Sequence, residues 1–150
     1  VISGGGQENG TRSGTVSVAQ ACALAKALKL EFSTKFNSRE LHEYLLKQLE
    51  SIEGIEINSP SNGSNYIVNF SLTNKKASVV VEALSNKGIY VSSVSACNSK
   101  GEPMSAVVKA LGKSDNLAHN TIRVSFDYNS TIQEIDTFIS ALKEILRSIK

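Results

Sequence analysis

Tyr66-Ile67-Val68-Asn69-Phe70-Ser71-Leu72 alternates without a break, with Tyr66, Val68, Phe70 and Leu72 on one side and Ile67, Asn69 and Ser71 on the other. A period of two is that of a strand with one face against a core, and the first set is the core-facing one. Downstream, Ala77, Val80, Val81 and Leu84 recur at helical spacing until Gly88 stops them, and Ile89 to Val91 reads as a second strand. Pro103 opens a short helix through Leu111, ended by Gly112. Thr121 to Phe126 alternates again, with Ile122, Val124 and Phe126 facing one way and Thr121, Arg123 and Ser125 the other. Thr131 and Glu134 then form a capping box before Ile135, Phe138, Ile139, Leu142, Ile145, Leu146 and Ile149, the best-marked helix of the chain.

Upstream of the first strand, Asn37 and Glu40 cap a helix whose face is Leu41, Leu45, Leu49 and Ile52, with His42 off that stripe and exposed. Ile55-Glu56-Ile57 is a short extended piece, and Ser59 to Ser64 is a turn segment. Val18, Cys22, Ala25 and Leu28 mark an earlier helix face, which makes Cys22 a small core residue. The sum is an α+β fold, a small sheet of about three strands covered by helices.

At 150 residues, 41% hydrophobic and 20% charged, the chain has the size and apolar content of one ordinary core-forming domain. A net charge of +2 from 16 basic and 14 acidic side chains shows no basic run, which argues against a nucleic-acid partner. No apolar stretch nears the roughly 20 residues of a membrane span, and no signal-peptide pattern opens the chain, so a soluble cytoplasmic protein is expected. Two cysteines without a CxxC, and two histidines, make neither a zinc site nor a disulfide framework, so no metal is expected and Cys97 stays a free thiol. The chain starts at Val1 without an initiator Met and runs straight into a glycine cluster, which reads as a piece cut from a longer protein.

Cys97 is the best catalytic candidate. It lies in Ser92-Ser93-Val94-Ser95-Ala96-Cys97-Asn98-Ser99, a small-residue stretch between a strand and a short helix, with no apolar stripe to bury the thiol. Arg123 is the one charge in its strand, and the residues alone favour a surface side chain pairing with Asp127 or Glu134. The glycine-rich start, taken alone, reads as an ordinary linker, since a glycine cluster by itself is weak evidence for a phosphate cradle.

Three stretches together are similar to one family. Gly4-Gly5-Gly6-Gln7-Glu8-Asn9-Gly10-Thr11-Arg12-Ser13-Gly14-Thr15 resembles a GGGQExGxRxGT motif, Ser92 to Cys97 resembles SSGSAC, and Leu117 to Phe126 resembles LAHxSIRxSLG. Pro103-Met104-Ser105 and Ala110-Leu111-Gly112 fall where the family has a PSxVLxALG helix. The chain thus resembles, over essentially its whole length, the C-terminal part of pyridoxal-phosphate-dependent cysteine desulfurases of the iron–sulfur-cluster and nitrogen-fixation type, in the class-V aminotransferase superfamily. The resemblance implies the C-terminal small domain of fold-type I pyridoxal-phosphate enzymes over 17–150, preceded by a cofactor- and dimer-contact segment over 1–16.

It further implies that L-cysteine is converted to L-alanine while Cys97 takes the sulfur as a persulfide and passes it to an acceptor protein such as an iron–sulfur scaffold. By the same resemblance Arg123 holds the substrate carboxylate, Thr15 reaches the cofactor phosphate of the other subunit, and the full-length protein is a homodimer. Arg12 and His119 match family positions without a role that their chemistry dictates. Val94, Ala106 and Asp127 depart from the family pattern at positions of glycine, of histidine or tyrosine, and of glycine. The Schiff-base lysine and the acid beside the pyridine nitrogen match nothing in these 150 residues, so the chain alone is expected to be inactive. A class-V aminotransferase, a selenocysteine lyase, or a docking domain without catalysis are the alternative readings.

Overall fold

The computed structural model describes residues 2–33, 37–60, 62–94 and 104–149, and the chain divides into two compact units, 1–35 and 36–150. In the first, residues 2–14 fold back on themselves. Ser13 N donates to Ile2 O at 3.2 Å, and Ser13 Oγ donates to Gly5 O at 2.7 Å. Gly4 has φ of +150°, and a Cβ there would lie 2.9 Å from that of Ser13, so this closure needs glycine. Helix α1 (Val18–Ser33) follows. Contrary to the expectation of a core cysteine, Cys22 is exposed, as are Val18, Leu24, Leu28 and Leu30. Ala19, Ala21, Ala23, Ala25 and Ala27 spread small apolar residues around the whole helix, so the spacing of Cys22 singles out no buried face.

The second unit contains α2 (Ser38–Glu50), β1 (Ile55–Ile57), β2 (Ile67–Leu72), α3 (Ala77–Asn86), β3 (Ser92–Ser93), α4 (Ala106–Ala110), α5 (Asp115–His119), β4 (Thr121–Ser125) and α6 (Ile132–Ser148). The strands form one antiparallel sheet in the order β1-β2-β4-β3. The short extended piece Ile55–Ile57 thus pairs as a fourth strand where about three were expected. Val68, Phe70 and Leu72 of β2 and Ile122 of β4 are buried against Leu41, Leu45 and Leu49 of α2, Ala77, Val80 and Leu84 of α3, and Phe138, Leu142 and Ile145 of α6. Tyr66, expected with the core set, precedes the strand and is exposed. Two of these helices start as the sequence demands: at α2 Asn37 Oδ1 accepts from Glu40 N, and at α6 Thr131 and Glu134 complete the capping box.

Two local expectations are corrected. His42 is 5% exposed, because it lies three residues before Leu45 and seven before Leu49 and so shares the buried face of α2; its Nε2 has no hydrogen-bond partner among the described residues. Ile89–Val91 is not a strand. After α3, Gly88 takes φ of +76°, Gly88 N donates to Ser85 O at 2.9 Å, and Ile89 N donates to Leu84 O at 3.0 Å. This double closure spends Ile89 on the helix C-terminus, and strand pairing begins only at Ser92. The helix after the thiol stretch starts at Ala106 with Ser105 as its cap rather than at the proline.

Candidate functional site

The face of the sheet away from the core carries Asn69 and Ser71 of β2, Thr121 and Arg123 of β4, and Ser92 of β3. The pairings Asn69↔Arg123, Ser71↔Thr121 and Ser92↔Arg123 set these side chains in adjacent rows. Near Ser71 this face is covered by α5, whose Leu117 O accepts from Ser71 Oγ at 2.8 Å. Near Arg123 it opens into a cavity of about 590 Å³ walled by Ser105 to Val108 and Leu111 and lined also by Asn58, Asn69 and Met104.

A buried polar network forms the cavity floor. Asn58, 6% exposed, donates through Nδ2 to Ser71 Oγ at 2.7 Å and to Asn69 Oδ1 at 2.8 Å. Thr121 Oγ1 donates to the same Asn69 Oδ1 at 2.7 Å, and Asn69 Nδ2 donates to Ile122 O at 3.1 Å. Two carbonyls, Leu117 O and Ile122 O, can only accept, so they fix the direction of the bonds to them and thereby the orientation of the Asn69 amide. Asn58 Oδ1 is buried without a hydrogen-bond partner among the described residues.

Arg123 is exposed and forms no ion pair among the described residues; its contact is Nη2 to Ser92 Oγ at 3.5 Å, at the long limit of a hydrogen bond. The carboxylates that the sequence offers it are engaged elsewhere. Asp127 Oδ1 accepts from Asn129 N at 2.8 Å, and Glu134 Oε2 accepts from Thr131 N at 2.9 Å. A planar fork of donors facing a cavity, without a counter-ion among the described residues, is suited to take a carboxylate from outside. The wall opposite is pinned by Ser105 N to Ala118 O at 3.0 Å and by Lys109 to Asp115, whose carboxyl is held below its ordinary range first by the hydrogen bond from Lys109 and then by that lysine's charge.

Of the other sequence candidates, Thr15 is exposed in the first unit and its carbonyl accepts from Arg12 Nη1 at 3.3 Å. His119 is the half-buried last residue of α5. Cys97 and Pro103 lie outside the described residues. Asn58, Asn69, Ser71 and Thr121 are the residues that sequence reasoning missed; the last three stand in the polar halves of the two strand alternations, and Asn58 in neither.

A family profile described as aminotransferase class-V matches residues 4–138. The chain belongs to the class-V aminotransferase family. Among its relatives, a NifS/IcsS protein homolog of Lactobacillus delbrueckii subsp. bulgaricus is 35% identical over 95% of this chain and 38% of its own length. A mitochondrial cysteine desulfurase of Saccharomyces cerevisiae is 36% identical over 100% of this chain and 31% of its own length. A solved structure, a NifS-like protein from Rickettsia africae ESF-5, superposes with a TM-score of 0.77 at 28% identity, covering 97% of this chain and 39% of that one. The chain therefore spans well under half the length of these relatives.

Class-V aminotransferases imply pyridoxal phosphate, which needs a lysine amine, an acid for the ring nitrogen and donors for its phosphate. Among the described residues, the cavity beside Arg123 is lined by no lysine and no carboxylate. The described residues thus do not make a whole site for the cofactor. No helix among them is long and apolar enough to cross a membrane.

Proposed function

We propose that this class-V aminotransferase chain is the part of a cysteine desulfurase that receives the substrate carboxylate and carries the sulfur. L-cysteine and the Cys97 thiol give L-alanine and a Cys97 persulfide: the substrate sulfur bonds to Sγ, its bond to carbon opens, and the carbon skeleton leaves protonated. Pyridoxal phosphate, bound in the full-length protein, supplies the electron sink for that carbon–sulfur cleavage. Arg123 binds the carboxylate through two parallel N–H donors and so orients the substrate. Residues 1–16 serve as the segment through which Thr15 meets the cofactor phosphate of a second subunit in a homodimer, and 17–150 as the domain that bears the thiol. An acceptor protein, such as an iron–sulfur scaffold, then takes the sulfur by thiol exchange. A reducing compartment such as the cytoplasm suits the free thiol.

The observation that carries this reading is the pairing of Ser92 with Arg123 beside the cavity, because Ser92-Ser93 opens the stretch that ends at Cys97. A guanidinium with no ion pair among the described residues and the start of the thiol segment are neighbours in one sheet. The relatives named cysteine desulfurases support the same chemistry. The test is alanine release from L-cysteine by the full-length protein with pyridoxal phosphate, comparing wild type with Cys97→Ser. Alanine formation is expected to vanish in the variant; alanine formed at the wild-type rate overturns the assignment of Cys97.

A further inference from the structure

Asn69 is the most heavily committed residue on the polar face. Its N donates to Ser59 Oγ at 2.8 Å, and its O accepts from Asn58 N at 2.9 Å and Ser59 N at 3.2 Å. Its side chain donates to Ile122 O at 3.1 Å and accepts from Thr121 Oγ1 and Asn58 Nδ2. Every polar atom it owns is therefore used.

Two of those bonds bear on Arg123. The carbonyl of Ile122 belongs to the peptide that joins Ile122 to Arg123, so the Asn69 amide clamps the peptide plane from which the arginine springs. Thr121, held through its hydroxyl, is the residue before that. Asn69 also stands directly opposite Arg123 in the β2–β4 register, where facing Cβ atoms are about 4.5–5.5 Å apart. On its other flank Arg123 has only β3, two residues long, and the 3.5 Å contact with Ser92. With no ion pair among the described residues to fix the guanidinium, its aim depends on how firmly its own backbone is held.

We propose that Asn69 is a positioning residue for Arg123, setting the direction in which the guanidinium presents its donors to the substrate carboxylate. Asn58 and Thr121 assist by fixing the Asn69 amide. This rests on the reading that Arg123 receives that carboxylate.

The experiment uses the full-length protein loaded with pyridoxal phosphate. It measures KM and kcat for L-cysteine and inhibition constants for two substrate fragments, 3-mercaptopropionate, which has the carboxylate, and cysteamine, which lacks it. Asn69→Ala is expected to raise KM about tenfold with a smaller change in kcat, and to raise the constant for 3-mercaptopropionate by a similar factor, as expected for one misdirected charge-assisted hydrogen bond. The constant for cysteamine stays at the wild-type value. A general loosening of the domain would move both fragments together and would overturn the proposal.

Arg123→Ala is the reference. If it weakens 3-mercaptopropionate selectively and Asn69→Ala does not, the positioning role fails while the carboxylate site stands. If Arg123→Ala leaves both constants unchanged, the carboxylate reading itself fails. Should Asn69→Ala not fold, Thr121→Val and Asn58→Ala are read instead; a selective weakening of 3-mercaptopropionate supports the proposal, and equal effects on both fragments refute it.

Discussion

Ser71→Ala should destabilise the second unit far more than the loss of one oxygen atom suggests. Ser71 is 0% exposed, and its hydroxyl both donates to Leu117 O at 2.8 Å and accepts from Asn58 Nδ2 at 2.7 Å. Each bond contributes about 1 kcal/mol net, and a buried group left without its partner costs a further ~1–3 kcal/mol. Asn58 Nδ2 keeps Asn69 Oδ1 as an acceptor, so that second cost falls on the Leu117 carbonyl alone. The expected loss is about 3–5 kcal/mol, or roughly 10–20 °C in Tm for a unit of this size. Thermal and urea melts followed by circular dichroism measure it, with Ser125→Ala, an exposed serine on the same sheet face, as a control expected to change stability by under ~0.5 kcal/mol. A loss for Ser71→Ala no larger than that of the control would refute the hydrogen-bonded floor and the argument built on it.

Three further outcomes are expected. Gly88→Ala should cost about 1 kcal/mol, since φ is +76° while no atom lies within 4 Å of the added Cβ, and Gly88→Asn should cost less; urea midpoints decide this. Thr131→Ala removes the cap of α6 and should cost about 1 kcal/mol, with Thr131→Ser recovering most of it in the same melts. Asp115 has a depressed folded pKa, so its small, salt-screened contribution is present above the unfolded value and lost as pH falls through the folded one. A carboxyl NMR titration should show Asp115 returning upward in Lys109→Met, and an unchanged midpoint would contradict the pairing.

The two strands and, Tyr66 apart, their core-facing side chains are legible in Tyr66–Leu72 and Thr121–Phe126, because alternation is a direct imprint of the pleat. The same alternation does not tell whether its polar side meets water or protein. Asn69 and Thr121 look like solvent residues until the loop after β1 brings Asn58 beneath them, and that meeting joins positions 11 and 63 residues from Asn58. Ile89 misleads because an apolar residue after a helical glycine serves a helix end and a strand start equally well by composition. His42 misleads because a polar side chain hides a buried position that leucines three and seven residues on would assign. Arg123 is the converse case: motif similarity singles it out, and the commitment of Asp127 and Glu134 to their own loops leaves it in the structure without the surface pairing that residue types alone permitted.

The strand order β1-β2-β4-β3 has a kinetic consequence. The longest pairing joins Ile67 to Ser125, so a nascent chain that has made β2 through Leu72 must wait for 53 more residues before its partner strand, which ends at Ser125, is complete. At ~5–20 residues per second that interval lasts roughly 3–10 s, long compared with helix formation or hydrophobic collapse. During it one edge of β2 stands open, with Val68, Phe70 and Leu72 beside it, and can pair with any other extended segment. Production of this domain should therefore be limited by association of unfinished chains, and should improve when fewer chains are started at once or when a chaperone shields that edge.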